Sequence, residues 1–124
     1  MRILCIGDSN TWGYVPGEDG VRTEKRWTNL LAELRPNDTI IEEGLCGRTV
    51  IAKDTIVPVR CGIDTLPILM LSHVPVDLVI IMLGTNDLKK QFNPSAKHLA
   101  LGIEQFIKYI SNPHLVENYK IPKI

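Results

Sequence analysis

Three short polar segments carry residue types suited to acyl chemistry: Gly7-Asp8-Ser9-Asn10-Thr11-Trp12-Gly13, Glu43-Gly44-Leu45-Cys46-Gly47-Arg48-Thr49 and Gly84-Thr85-Asn86-Asp87. Gly7 lets the chain turn sharply. A serine two residues later then holds its hydroxyl and its own backbone N–H toward the same side, as a nucleophile needs. Attack on a carbonyl also requires donors for the oxyanion, usually backbone N–H groups and a side-chain amide. Gly47, with no Cβ to block close approach, offers an N–H, and Asn86 offers its amide. Each alone is ordinary, since Gly-Asp-Ser and Gly-Thr-Asn-Asp both make simple turns. Their weight lies in their order and in what precedes them.

Each segment directly follows a run that reads as a strand. Ile3 to Ile6 and Leu78 to Leu83 are continuous, apolar and rich in β-branched residues, as parallel strands buried on both faces are. Thr39-Ile40-Ile41-Glu42 is shorter and polar at both ends, which suits a strand nearer the sheet edge. A helix is expected over Thr23 to Leu34, where Trp27, Leu30, Leu31 and Leu34 form one apolar stripe. A second is expected over about Thr65 to His73, with Leu66, Leu69 and Met70 on one face and Pro67 in its first turn. The third starts at Ser95 as N-cap and buries Leu99, Ile103, Phe106, Ile107 and Ile110 before Asn112-Pro113 ends it. Strands alternating with helices predict an α/β fold: a parallel sheet with right-handed crossovers and helices on both faces. In such a sheet ligands bind beyond the carboxyl ends of the strands, where the three segments fall. Residues 13–22, with Gly13, Pro16, Gly17 and Gly20, form one long polar loop after the first strand.

The blocks Gly7-Asp8-Ser9, Gly47 within Gly44-Leu45-Cys46-Gly47-Arg48-Thr49, and Gly84-Thr85-Asn86-Asp87 resemble those of the SGNH (GDSL-type) hydrolases. The fuller strings, including Asp77-Leu78-Val79-Ile80-Ile81-Met82-Leu83 before the third block, are similar to the arylesterase/acyltransferase branch. The resemblance runs from Met1 to about Ile110. It implies a flavodoxin-like three-layer α/β/α fold of strand order 2-1-3-4-5, and esterase or acyl-transfer activity on small acyl esters. Carried over by position, Ser9 is the nucleophile and one oxyanion donor, Gly47 the second donor and Asn86 the third. Asp8 reads as a structural acceptor and Asp87 as a supporting residue. Trp12 reads either as a wall of the acyl pocket or as an aromatic packed under the long loop. The resembling branch includes homo-oligomers, so self-association is an expectation by analogy.

Serine needs a base within hydrogen-bond reach, itself oriented by a third group. In the resembling family both come from a late Asp-x-x-His segment, which this sequence lacks. His73, His98 and His114 read as structural or solvated, because none follows a strand or has an aspartate at that spacing. Tyr119 to Ile124 reads as the approach to a fourth strand, and Leu78 to Leu83 as a central one. The expectation is therefore a single domain, residues 1–124, that is the N-terminal portion of a longer hydrolase. It would be cut after the third strand and its following helix, inactive alone, and short of about two strand–helix units of roughly 30 residues each. A non-catalytic module that cradles a carboxylate or acyl group is the alternative. A phosphate-binding turn ranks last, because Gly-x-Gly-x-x-Gly and Lys-Ser/Thr features are missing.

Composition excludes other classes. The 124 residues balance 14 Lys+Arg against 14 Asp+Glu, with 44% apolar residues, so there is no electrostatic footprint for nucleic acid or anionic lipid. The start offers too few apolar residues for a signal-peptide core, and no apolar run approaches bilayer length, which makes the cytoplasm the default compartment. Cys5, Cys46 and Cys61 lack Cys-x-x-Cys spacing and read as reduced thiols packed as small apolar groups. No cofactor is expected, and no metal site is suggested, since the histidines and cysteines show no ligand spacing.

Overall fold

The computed structural model describes residues 1–115 and 119–124. Its main elements are β1 (Arg2–Gly7), α1 (Ser9–Trp12), α2 (Trp27–Leu34), β2 (Thr39–Gly44), α3 (Gly62–His73), β3 (Leu78–Met82) and α4 (Ala96–Ile110), with short 3-10 turns between. The strands form one parallel sheet of order β2-β1-β3. Gly7 is level with Gly44 on one side and Met82 on the other, so the three carboxyl ends lie side by side.

Alternation along the strands sorts the layers. Leu4, Ile6 and Val79 point to a core completed by Leu66 and Met70 of α3 and by Phe106 and Ile110 of α4. Glu42, which pairs with Cys5 in register, points the other way and receives hydrogen bonds from Arg26, the N-cap residue of α2. The sheet is thus covered by α3 and α4 on one face and approached by α2 on the other, as an α/β/α arrangement requires. β1 is buried at five of its six positions because it is the central strand. α4 begins where Ser95 predicts: its hydroxyl accepts from the His98 N–H at 3.1 Å. No described helix is long and apolar enough to cross a membrane.

Several expectations are corrected. The helix expected from Thr23 starts at Trp27, because the Thr23 N–H is drawn to Gly13 O at 2.7 Å and the Thr23 carbonyl accepts from Arg26 Nη1. Its apolar stripe is not buried: Leu34 is 81% exposed and Leu30 46%, while Thr28 is the residue sealed inside. α3 starts three residues earlier than expected, since the Gly62 and Ile63 N–H groups find the Thr49 and Val50 carbonyls and so satisfy first-turn donors. Pro67 therefore lies in the second turn. β3 is the last strand of the three-stranded sheet rather than a central one, with a single bridge to Lys123 on its far side among the described residues, and it ends at Met82, with Val79 alone fully buried. Ile107 is exposed rather than packed, because it lines an open groove beyond β3 together with Leu78, Ile80 and Ile124.

The tail forms a single bridge and no strand among the described residues. Lys123 makes a parallel bridge to Leu78, with the Val79 N–H donating to Lys123 O at 2.8 Å and the Lys123 N–H to Asp77 O at 3.0 Å. The bridge lies on the side of β3 away from β1.

Glu42 is the electrostatic tie between sheet and α2. Burial alone would raise its pKa, but the hydrogen bonds from Arg26 and the charges of Arg26 and Arg22 outweigh burial and hold it below the usual 4.5. A depressed carboxyl stabilises the fold above its unfolded value, and that contribution is lost as pH falls through the folded value. Glu42→Gln is expected to lower Tm at pH 7 and to flatten the fall in Tm on acidification below 4.5. Thermal melts of both proteins across that range check this, and parallel curves would refute it.

Candidate active site

The carboxyl edge is closed by tight backbone approaches that only glycine permits. A Cβ on Gly7 would sit 1.9 Å from Thr11 Oγ1, and one on Gly44 2.3 Å from the Trp12 backbone nitrogen. α1 therefore lies directly across the ends of β1 and β2. Asp8 caps it, its carboxylate accepting from the Asn10 N–H at 3.0 Å. Ser9 heads α1 and is half-buried. Its backbone N–H meets no acceptor among the described residues.

The second segment turns back over β1. The Leu45 N–H donates to Gly7 O at 3.1 Å and the Arg48 N–H to Leu45 O at 2.9 Å, with Gly47 at φ +84°, a left-handed conformation suited to glycine. The Gly47 N–H also meets no acceptor among the described residues. Arg48 is buried, and Nη1 donates to Gly7 O at 3.3 Å and to Glu43 O. Loss of hydration pushes its pKa down from the free value.

The third segment is tied to the second twice. Asn86 Nδ2 donates to Arg48 O at 3.0 Å, which spends one of its two amide hydrogens. Asp87, also buried, accepts from the N–H groups of Val50 at 2.7 Å and of Ile51 and Ala52 at 3.1 Å. Of the two aspartates singled out in the sequence, Asp8 caps its own turn, while Asp87 binds one loop to another.

The remaining expected residues are placed as follows. Trp12 is half-buried and carries the Arg22 guanidinium 5.7 Å over its ring, while Arg22 also donates to Trp12 O and to Glu42. A cleft of about 420 Å³ opens beside Asp87, between Ala52 and the start of α4; neither Ser9 nor Trp12 lines it. His73 Nε2 is spent 2.6 Å from Glu43 Oε1, and His98 and His114 are exposed. Among the described residues no cluster of His, Cys, Asp or Glu could hold a metal ion. The cysteines are unpaired, with burial pushing the Cys5 thiol up to about 11 and raising Cys46 and Cys61 as well.

An open parallel α/β sheet with polar loops gathered at its carboxyl edge belongs to the class that binds ligands at that edge. The profile of the GDSL-like lipase/acylhydrolase family matches residues 5–119, and the chain belongs to that family. Among solved structures it is similar to the M. smegmatis aryl esterase, at 42% identity and TM-score 0.89 over 98% of this chain and 60% of that one. It is also similar to a carbohydrate acetylesterase from Sinorhizobium meliloti, at 38% identity and TM-score 0.90 over the same shares. AlinE4, an SGNH-hydrolase family esterase, matches at 25% identity and TM-score 0.66, over 98% of this chain and 56% of its own. The chain thus spans about three-fifths of the length of the first two. A comparison with curated protein sequences found no match.

Sequence reasoning did not single out Arg48 or Arg60, although both touch the Gly47 loop. An arginine in a Gly-rich turn gives no local sign that its guanidinium faces inward. Asp87→Asn leaves one buried N–H of residues 50–52 without an acceptor, which is expected to cost about 2–3 kcal/mol. Urea denaturation measures this, and a change within about 0.5 kcal/mol, as at an ordinary surface site, would contradict the bracing role.

Proposed function

We propose that these residues form the nucleophile and oxyanion half of an SGNH-type serine esterase acting on small acyl esters. One observation carries this reading: at three level strand ends, a half-buried serine and two unspent backbone N–H groups share an edge with a half-spent amide. Ser9 Oγ adds to the acyl carbon as its proton passes to a base. The carbonyl oxygen becomes an oxyanion, which accepts from the N–H groups of Ser9 and Gly47 and from Asn86 Nδ2. Preorganised donors in such a place are worth about 10²–10³ in rate apiece. Collapse expels the alcohol, which takes a proton, and water then releases the acid from Ser9 by the same steps.

The base is proposed to come from residues outside these 124. None of the described histidines is hydrogen-bonded to Ser9, and no Asp-x-x-His occurs in the sequence. Residues 1–124 alone are accordingly expected to show no p-nitrophenyl acetate hydrolysis above buffer. The full gene product carrying them is expected to hydrolyse it, with Ser9→Ala lowering kcat by at least about 1,000-fold. Hydrolysis undiminished in Ser9→Ala would overturn the assignment, and no hydrolysis at all would favour a binding module that holds an acyl or carboxylate group.

A further inference from the structure

Arg60 touches the Gly47 loop from outside the site. Its Nε donates to Cys46 O at 3.1 Å, and its own carbonyl accepts from the Thr49 N–H at 2.9 Å. The guanidinium packs so closely on Gly47 that a Cβ there would lie 2.7 Å from Nε. Arg60 is in turn fixed by Asp54: Nη1 donates to Asp54 Oδ2 at 3.1 Å. Asp54 is anchored by its own turn, Oδ1 accepting from the N–H groups of Ile56 at 2.9 Å and Val57 at 3.0 Å.

In a trans peptide unit the carbonyl and the next N–H point in opposite directions. Pinning Cys46 O toward the guanidinium therefore turns the Gly47 N–H away from it. A left-handed glycine has unusual freedom to rotate that peptide, so an external clamp has work to do here. We infer that Arg60, held by Asp54, is a positioning residue that aims the Gly47 N–H at the oxyanion. This rests on the esterase reading above.

The test uses the 15N-labelled full gene product carrying these residues, with phenylboronic acid as probe. Ser9 Oγ donates an electron pair to boron, the O–B bond forms, and the hydroxyl proton leaves to water, giving a tetrahedral anion that occupies the oxyanion position. Arg60→Met is expected to shift the Gly47 amide resonance, leave amides outside residues 46–60 in place, and weaken boronate binding about tenfold. That is less than complete loss of a donor costs. Arg60→Lys, which restores a cationic donor, is expected to recover part of the affinity. Should Arg60→Met fail to fold, Asp54→Asn decides, since it keeps the Oδ1 acceptor for Ile56 and Val57 and removes the negative charge and the Oδ2 acceptor that hold Arg60. A Gly47 resonance and boronate affinity unchanged in Arg60→Met, or in Asp54→Asn where that variant decides, would overturn the inference. If instead the unsubstituted chain and Ser9→Ala bind the boronate alike, the esterase reading fails separately. A Gly47 shift would then mark Arg60 as a structural clamp only.

Discussion

Arg48 keeps its guanidinium out of water, and such a cation is stable only where hydrogen bonds replace its hydration. The replacements are the carbonyls of Gly7 and Glu43, at the ends of β1 and β2. Its own backbone carbonyl receives the Asn86 amide from beyond β3. One residue thus ties together three chain segments that are far apart in sequence, each ending in a group proposed for chemistry. Its Nε has no partner among the described residues, so the fit is incomplete on that side. Through its side chain and its backbone carbonyl, Arg48 thus links the ends of β1 and β2 to the segment that carries Asn86.

The aspartates of the first and third segments show how similar residues take different tasks. Asp8 accepts from the Asn10 N–H only two residues on, a local bond typical of an aspartate at a helix N-cap. Asp87 gathers three successive N–H groups from residues 37, 36 and 35 positions away. A carboxylate suits that task because it is acceptor-only on both oxygens. The loop of residues 50–52 has no ladder of its own there, and the side chain supplies what a strand would otherwise supply.

Legibility in the sequence followed the range of the interactions. β1, the Ser95 cap and the strand-end position of the three segments depend on neighbours within a few residues, and these were readable. The apolar stripe of α2 was also readable as a pattern, but not its exposure, which depends on what the rest of the molecule places opposite Leu30 and Leu34. The start of α3 was misplaced because the acceptors for its first donors lie back at Thr49 and Val50, across a loop. Arg48 and Arg60 went unread for a similar reason, since both act on carbonyls brought near by folding. Segment type and order single out Ser9, Gly47 and Asn86 as candidates, whereas the contacts of Arg48 that link their segments leave no local trace in the sequence.

The placement of aromatic residues has a practical side. The chain contains two tryptophans, and both border the four-residue helix that Ser9 heads. Trp12 is its last residue, roofed by Arg22, and Trp27 donates its indole N–H to Thr11 Oγ1 at 3.1 Å. Intrinsic fluorescence of this protein is therefore an optical gauge of α1 itself. A change in emission on adding a small molecule would report directly on the ground beneath the serine, without any label.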